Sequence, residues 1–217
     1  IKMLKNQRGF TLIEIAIVLV IIGLLLGGVL KGQELMDNAR VKRVINDFNG
    51  LSAAIYGYQD RYKKLPGDDN TTEARWSTTV GTQSDGNGNG QITGAWNGGG
   101  NIEPRRMWLH LRAAGLVSGT ATGQPSGAGG AQATNAYGGL VGVDEANLGL
   151  TGIVLCQSSV PGKVAALIDI ELDDGISNTG QVVAALGAIN NNANPDAGSN
   201  IYTEANSGTA MTICKPI

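Results

Sequence analysis

Histidine, cysteine and charge are all scarce in this chain. Its 217 residues include one His and two Cys, and only 16% of them are charged. So few Cys and His exclude the usual kinds of zinc site, and a Ser-His-Asp triad would have to use His110. The low charge excludes a coiled-coil rod, and a net charge of −2 argues against electrostatic binding of nucleic acid. Because the chain also lacks the common catalytic motifs, we expect a protein that is not an enzyme.

Proline is absent from residues 1–65, and this part contains one long apolar run. Residues 10–30 read FTLIEIAIVLVIIGLLLGGVL, in which Thr11 and Glu14 are the only polar side chains. A helix of that length spans the hydrocarbon core of a bilayer. The preceding residues carry Lys2, Lys5 and Arg8 and no acid, as in an export signal. However, the run is longer than the apolar part of a secretory signal peptide, and no A-x-A site follows it.

The helical pattern continues beyond the apolar run. A stripe of large apolar side chains, spaced alternately by four and three residues, comprises Val44, Phe48, Leu51, Ile55, Tyr58 and Tyr62. This spacing predicts one helix over residues 10–63, stopped at Leu65-Pro66-Gly67-Asp68. Its second half is apolar on one face and should pack on a globular head. Three glycines, at 27, 28 and 32, predict bending or melting between the two halves.

Glu14 is unusual because it lies within the apolar run. A carboxylate at membrane depth is costly, and such residues are usually functional. One interpretation is that Glu14 extends to the nearby membrane interface. The other is that it awaits a positive partner from a neighbouring subunit.

The segment Arg8-Gly9-Phe10-Thr11-Leu12-Ile13-Glu14 resembles the prepilin processing site of the type IV pilin and type II secretion pseudopilin superfamily. The resemblance implies that a prepilin peptidase cleaves after Gly9 and methylates the new amino group of Phe10. It also implies that Glu14 pairs with the N-terminal amine of an adjacent subunit during assembly. Many type IV pilins carry Pro at the position of Lys31, and this chain departs from that pattern.

The same resemblance implies an α+β fold, in which a long N-terminal helix, half of it transmembrane, packs on a small antiparallel sheet. The implied organisation is a leader peptide (1–9), a transmembrane and assembly helix (10–30), its amphipathic continuation (31–65) and a globular head (66–217). The expected partners are other pilin subunits, the prepilin peptidase and an inner-membrane assembly platform. The subunit would cross the bacterial inner membrane once with a cytoplasmic N-terminus, then enter an extracellular or periplasmic filament.

Local patterns predict several elements within the head. We expect helices over 104–116 and 161–172, and strands over 152–156, 181–189 and 209–214. Residues 117–149 are rich in Gly, Ala, Ser and Thr and fit either a long surface loop or weak strands. His110 falls in the first of these helices, where we expect a surface or boundary position.

The only two cysteines, Cys156 and Cys214, both lie in the head. Because an exported head meets an oxidising compartment, they suggest one disulfide. Type IV pilins often carry a similar C-terminal disulfide loop. The alternative is a pair of buried free thiols.

Two acidic or amide-rich segments are candidates for Ca²⁺. Asp85, Asn87 and Asn89 alternate as in the first half of a calcium loop, and Gln91 offers a carbonyl. Trp96 stands where a bidentate Glu is required, so the alternative is a flexible Gly/Asn turn. The second segment holds Asp169, Glu171, Asp173 and Asp174, which fit a cation site, an Arg partner or a solvated Asp-Gly turn.

Together these patterns favour a structural subunit of a type IV pilus-like filament. An alternative in the same superfamily is a pseudopilin of a type II secretion system. An alternative of another class is a minor pilin or adhesin whose head binds a surface, DNA or another protein.

Overall fold

The computed structural model describes residues 11–127, 130–187 and 200–217. The chain divides into two compact units, Ile1–Ala39 and Arg40–Ile217. One long helix, α1 (Leu12–Tyr62), contributes to both units. The amphipathic half of this helix therefore groups with the head from Arg40 onwards.

In the first unit, α1 is continuous through its glycines. The helix predicted over residues 10–63 is confirmed within its described part. Of the bending or melting expected at Gly27, Gly28 and Gly32, the melting is wrong and the bending stays a prediction. A Cβ added at any of these glycines would meet nothing within 4 Å. Each glycine weakens a helix by about 1 kcal/mol relative to Ala, and the apolar turns on either side keep the backbone helical.

The described residues of the second unit add three helices and a four-stranded sheet to α1. The helices are α2 (Thr72–Trp76), α3 (Glu103–Ala113) and α4 (Gly162–Leu172), and a short 3₁₀ turn covers Glu204–Asn206. The strands are β1 (Val141–Asn147), β2 (Leu150–Pro161), β3 (Val183–Leu186) and β4 (Ala210–Pro216). The strands are all antiparallel to their neighbours and lie in the order β1-β2-β4-β3. The expected α+β architecture is therefore confirmed.

The main core lies between the apolar stripe of α1 and one face of the sheet. Five stripe residues are buried, namely Val44, Phe48, Leu51, Ile55 and Tyr58, and only Tyr62 is half-buried. The stripe packs in one cluster with side chains of α3, α4 and the sheet, including Met107, Ile168 and Ile213. The 3.6-residue period of α1 thus places its second half on the head, as predicted.

A second, smaller core covers the opposite face of the sheet. Its buried members are Trp96, Leu148, Val154, Cys156, Val183, Ala185 and Cys214. Because both faces are covered, β1 begins with four consecutive buried residues instead of an alternating pattern. This explains why residues 117–149 gave no clear strand signal, although 141–147 form an edge strand.

The predicted head elements are present with shifted bounds. The strand expected over 152–156 extends as β2 from Leu150 to Pro161 and contains a bulge between Gln157 and Val160. Of the strand expected over 181–189, only Val183–Leu186 is a strand among the described residues. The position expected for His110 is wrong, because its side chain is fully buried.

Candidate functional site

The most exposed apolar surface of the described chain is the first part of α1. Every residue from 11 to 31 is exposed, including large apolar side chains from Leu12 to Leu30. Among the described residues, α1 is the one helix long and apolar enough to cross a membrane. No neighbour within the described chain covers this stretch, so it needs lipid or other helices around it.

Thr11 and Glu14 form a reciprocal cap at the start of α1. The Glu14 carboxylate accepts hydrogen bonds from the backbone N–H and the hydroxyl of Thr11, both at 2.8 Å to Oε2. In return, the Glu14 N–H donates to Thr11 Oγ1 at 3.3 Å. This is the capping-box arrangement, in which Ser or Thr precedes Glu by three residues. The motif T-x-x-E was visible in the sequence, yet sequence reasoning gave Thr11 no role.

Within the head, the segment Leu65–Asp69 holds the glycine-rich loop 84–91. Asp68 accepts hydrogen bonds from the N–H groups of Asn89 at 2.9 Å and Gly90 at 2.7 Å. The backbone approaches so closely here that a Cβ on Gly86 would lie 2.2 Å from the Asp68 carbonyl carbon. The two segments therefore pack directly against each other, and only glycine at position 86 allows so close an approach.

A buried polar cluster joins α1 to α2 through Asp69. The Asp69 carboxylate accepts from Tyr58 at 2.8 Å and from the Arg75 guanidinium at 2.7 Å on one oxygen. Its other oxygen accepts from the N–H and the hydroxyl of Thr71. Burial alone would raise the pKa of Asp69, but these donors lower it to about 2. The guanidinium also lies 4.2 Å from the ring centre of Tyr62.

His110 links three segments of the head from a fully buried position. Its Nδ1 accepts from the Gly67 N–H at 2.8 Å, and its Nε2 lies 2.8 Å from the Ser84 carbonyl oxygen. These two bonds define a neutral ring that carries its proton on Nε2. Burial lowers the pKa of His110 to about 4, despite the opposing hydrogen bond to Ser84. The ring is a structural bridge, because both of its nitrogens bond to backbone groups.

The N-terminal stretch matches a known family model. Residues 4–30 match the prokaryotic N-terminal methylation motif. The chain carries the hallmark motif of prepilin-type proteins. No curated protein and no solved structure matches the chain significantly. The motif supports a type IV pilin-like or pseudopilin subunit in general, and because the match ends at residue 30, the head must be interpreted from its own geometry.

Some residues of the prepilin-type motif lie outside the described part of the chain, and others lie within α1. Gly9 and Phe10, the predicted cleavage and methylation sites, lie outside the described residues and stay predictions. Glu14 is exposed on the first turn of α1. Lys31, which replaces the frequent Pro, pairs with Glu34 at 2.8 Å on the helix surface. One long apolar helix together with this motif fits a single-pass membrane-anchored protein.

Cys156 and Cys214 form the predicted disulfide. They are direct partners across β2 and β4, with their Cα atoms 4.1 Å apart, and both are fully buried. The bridge therefore ties the C-terminal strand to the centre of the sheet and contributes to the smaller core beside Val183.

The side chains of the four calcium-loop candidates all take part in hydrogen bonds, two within the loop and two with other segments of the head. Asp85 Oδ1 accepts from the Thr72 hydroxyl at 2.7 Å and from the Glu73 N–H at 2.8 Å, at the start of α2. Asn87 and Asn89 each accept from the N–H two residues onward, forming two successive Asx turns. The Gln91 side chain donates to Glu145 at 2.7 Å. Trp96 is fully buried in the second core, and Ca²⁺ binding stays a prediction.

In the second acidic segment, the structure brings together Asp169, Asp173 and Asp174. Each carboxylate already accepts hydrogen bonds. Tyr202 donates to Asp169 at 2.9 Å, and the hydroxyl of Thr179 donates to Asp174 at 2.6 Å. Burial and the two neighbouring acids raise the pKa of Asp169, although its donors oppose them. The cluster therefore stabilises the turn after α4. Among the described residues, no Arg donates a hydrogen bond to these three carboxylates.

Proposed function

We propose that the chain is a structural subunit of a type IV pilus-like filament. In this proposal a prepilin peptidase removes residues 1–9 and methylates Phe10. The mature subunit then waits in the inner membrane with a cytoplasmic N-terminus, and an assembly platform inserts it into the filament. The observation that carries the proposal is the fully exposed apolar stretch of α1 in a chain with the prepilin-type motif.

The exposed apolar area explains why this stretch of α1 needs a partner both in the membrane and in the filament. Fourteen large apolar side chains from Leu12 to Leu30 are exposed. Burying one such side chain contributes about 1.5–3 kcal/mol, so the stretch does not remain in water. Lipid tails are as apolar as leucine, however, so transfer from membrane to filament needs packing and polar contacts between helices.

Glu14 supplies the polar contact that the transfer needs. Thr11 binds only Oε2, so Oε1 accepts no hydrogen bond from any described residue. After cleavage, the amino group of a neighbouring Phe10 would be a cation in an apolar surrounding. Each charge is costly there unless it meets the other. Their pairing would also fix the axial register, since a displaced subunit leaves both charges unpaired.

The substitutions Glu14→Gln and Glu14→Ala test this role. Glu34→Gln is the matched control, because Glu34 is an exposed acid further along α1 that pairs with Lys31 on the helix surface. We expect both Glu14 variants to be cleaved before Phe10 and N-methylated, as measured by intact mass. Both should also insert in the membrane and have a folded head. We also expect them to polymerise poorly, whereas the control polymerises normally. Wild-type filament yield from both Glu14 variants would contradict the proposal.

Abundance separates the three roles that the motif allows. A major pilin dominates filaments sheared from cells, whereas a minor pilin or adhesin is rare in them. A pseudopilin would instead be required for protein secretion. We therefore expect deletion of this gene to remove sheared filaments and leave secretion intact. The role is structural, and the motif itself marks a family that is not an enzyme class.

A further inference from the structure

Thr11 makes three hydrogen bonds with Glu14 at the start of α1. Its backbone N–H and its hydroxyl each donate to Glu14 Oε2 at 2.8 Å, and the hydroxyl oxygen accepts from the Glu14 N–H at 3.3 Å. The hydroxyl therefore takes part in two of these bonds, once as a donor and once as an acceptor. Serine could replace it in both bonds, whereas valine, which has a similar volume, could replace it in neither.

Two donors on one oxygen fix the orientation of the Glu14 carboxylate. A free glutamate side chain rotates about several single bonds, and ordering it when two proteins associate costs free energy. Here Thr11 orders the carboxylate within one subunit, before a second subunit arrives. Because both donors bind Oε2, no described residue donates to Oε1. The ordered group thus keeps one oxygen for a donor from outside its own chain.

The chain around this cap offers no other polar side chain. Every residue from 12 to 30 is exposed, and apart from Glu14 all of them are apolar or glycine. Neither lipid tails nor packed apolar helices supply water that could bind Oε1. A carboxylate in such a surrounding is costly unless it meets a cation. A cationic group is therefore the chemistry that fits the free oxygen.

We propose that Thr11 is a positioning residue for assembly, whose hydroxyl holds the Glu14 carboxylate so that Oε1 meets the cationic amine of a neighbouring subunit. Thr11 contacts no second subunit in this arrangement and acts only through Glu14. To start a helix, Thr11 needs only to accept from the Glu14 N–H, whereas the two bonds to Oε2 orient the side chain. The inference rests on the proposed function, in which Glu14 pairs with Phe10 of a second copy.

Co-assembly with the wild-type chain tests the inference. Each full-length variant is expressed in the same cells as the wild type, and mass spectrometry of the variant peptides gives the ratio of the two. The ratio in sheared filaments is divided by the ratio in the processed, methylated membrane pool, so that differences in processing and amount cancel. Thr11→Val removes the hydroxyl, and Thr11→Ser keeps it. Thr82→Val is the matched control, because Thr82 is an exposed threonine of the head.

We expect Thr11→Val to enter filaments about threefold to tenfold less than wild type, because the carboxylate must then be ordered on pairing. Thr11→Ser and Thr82→Val should match wild type. Adding Thr11→Val to Glu14→Gln should change incorporation by less than about twofold, because the two residues act as one unit.

A role of Thr11 in starting α1 alone would lower incorporation equally in the wild-type and Glu14→Gln backgrounds. That result, or wild-type incorporation of Thr11→Val, would overturn this inference and leave the proposed function standing. A wild-type chain that forms no filaments, or wild-type incorporation of Glu14→Gln, would overturn the proposed function and this inference together.

Discussion

Replacing Asp69 by Asn should destabilise the head strongly. The carboxylate is fully buried and holds together Tyr58 of α1, Thr71 just before α2, and Arg75 of α2. The Asn side chain has a similar volume but carries no charge. Its N–H₂ group would also replace an oxygen that accepts hydrogen bonds, so that two donors would face each other. Arg75 would then keep a partly buried charge without its carboxylate.

The expected loss follows from the same contacts. The pKa of Asp69 is lowered from 3.8 to about 2, and each unit corresponds to about 1.4 kcal/mol, so ionisation alone contributes about 2 kcal/mol. Removing one partner of a buried ion pair typically costs about 3–5 kcal/mol. We therefore expect a loss of about 3 kcal/mol, which for a chain of this length lowers Tm by about 6–12 °C. Because the folded pKa is depressed, this stability is present above pH 3.8 and is lost as the pH falls towards 2.

The assay is urea unfolding of the full chain in detergent, followed by tryptophan fluorescence, since Trp76 lies beside the cluster. Asp60→Asn is the matched control, because the exposed pair of Asp60 and Lys63 should contribute less than about 1 kcal/mol. A double-mutant cycle with Tyr58→Phe should show strong coupling with Asp69→Asn and none with the control. Equal unfolding midpoints for Asp69→Asn and Asp60→Asn would refute the reasoning.

Three further predictions concern the head. Cys214→Ser should lower its unfolding free energy by about 2–5 kcal/mol, because the bridge closes a long loop; two free thiols in peptide maps of exported protein would contradict this. His110 has a depressed pKa, so stability should be full above pH 6.5 and fall by about 1.4 kcal/mol per unit towards pH 4; denaturation at pH 7 and pH 5 should show this slope in wild type and not in His110→Gln. Ca²⁺ should raise the Tm of the full chain and Asp85→Ala should abolish the rise; a melting curve indifferent to Ca²⁺ and chelator would exclude the site.

The long helix could be predicted from sequence because its two signals are local. The apolar run from residue 12 to 30 and the alternating spacing from Val44 to Tyr58 each extend over several turns, and both match the structure. The melting predicted from the glycines of α1 was wrong, because helix propensity is a weak local preference and the surrounding helical turns override it. The disulfide could also be predicted from the sequence, since two cysteines allow only one pairing.

The interior of the head could not be predicted because it depends on contacts between distant segments. His110 accepts a hydrogen bond from Gly67, 43 positions away, and donates one to Ser84, 26 positions away, and nothing near it in sequence indicates either partner. Trp96 occupies the last position of the supposed calcium loop, yet it covers the second face of the sheet. Alternating Asn and Gly residues serve equally well in calcium loops and in Asx turns, so residues 85–91 fit both patterns.

The cap at the start of α1 reconciles two properties of Glu14 that sequence reasoning kept apart. A carboxylate in an apolar segment opposes insertion, yet here Thr11 satisfies one oxygen at the helix N-terminus, where negative charge is favourable. The local cap therefore lowers the cost of holding Glu14 in the membrane without consuming its second oxygen. In the filament that we propose, this cap would hold the Glu14 carboxylate in position, with its second oxygen available to a cation from another subunit.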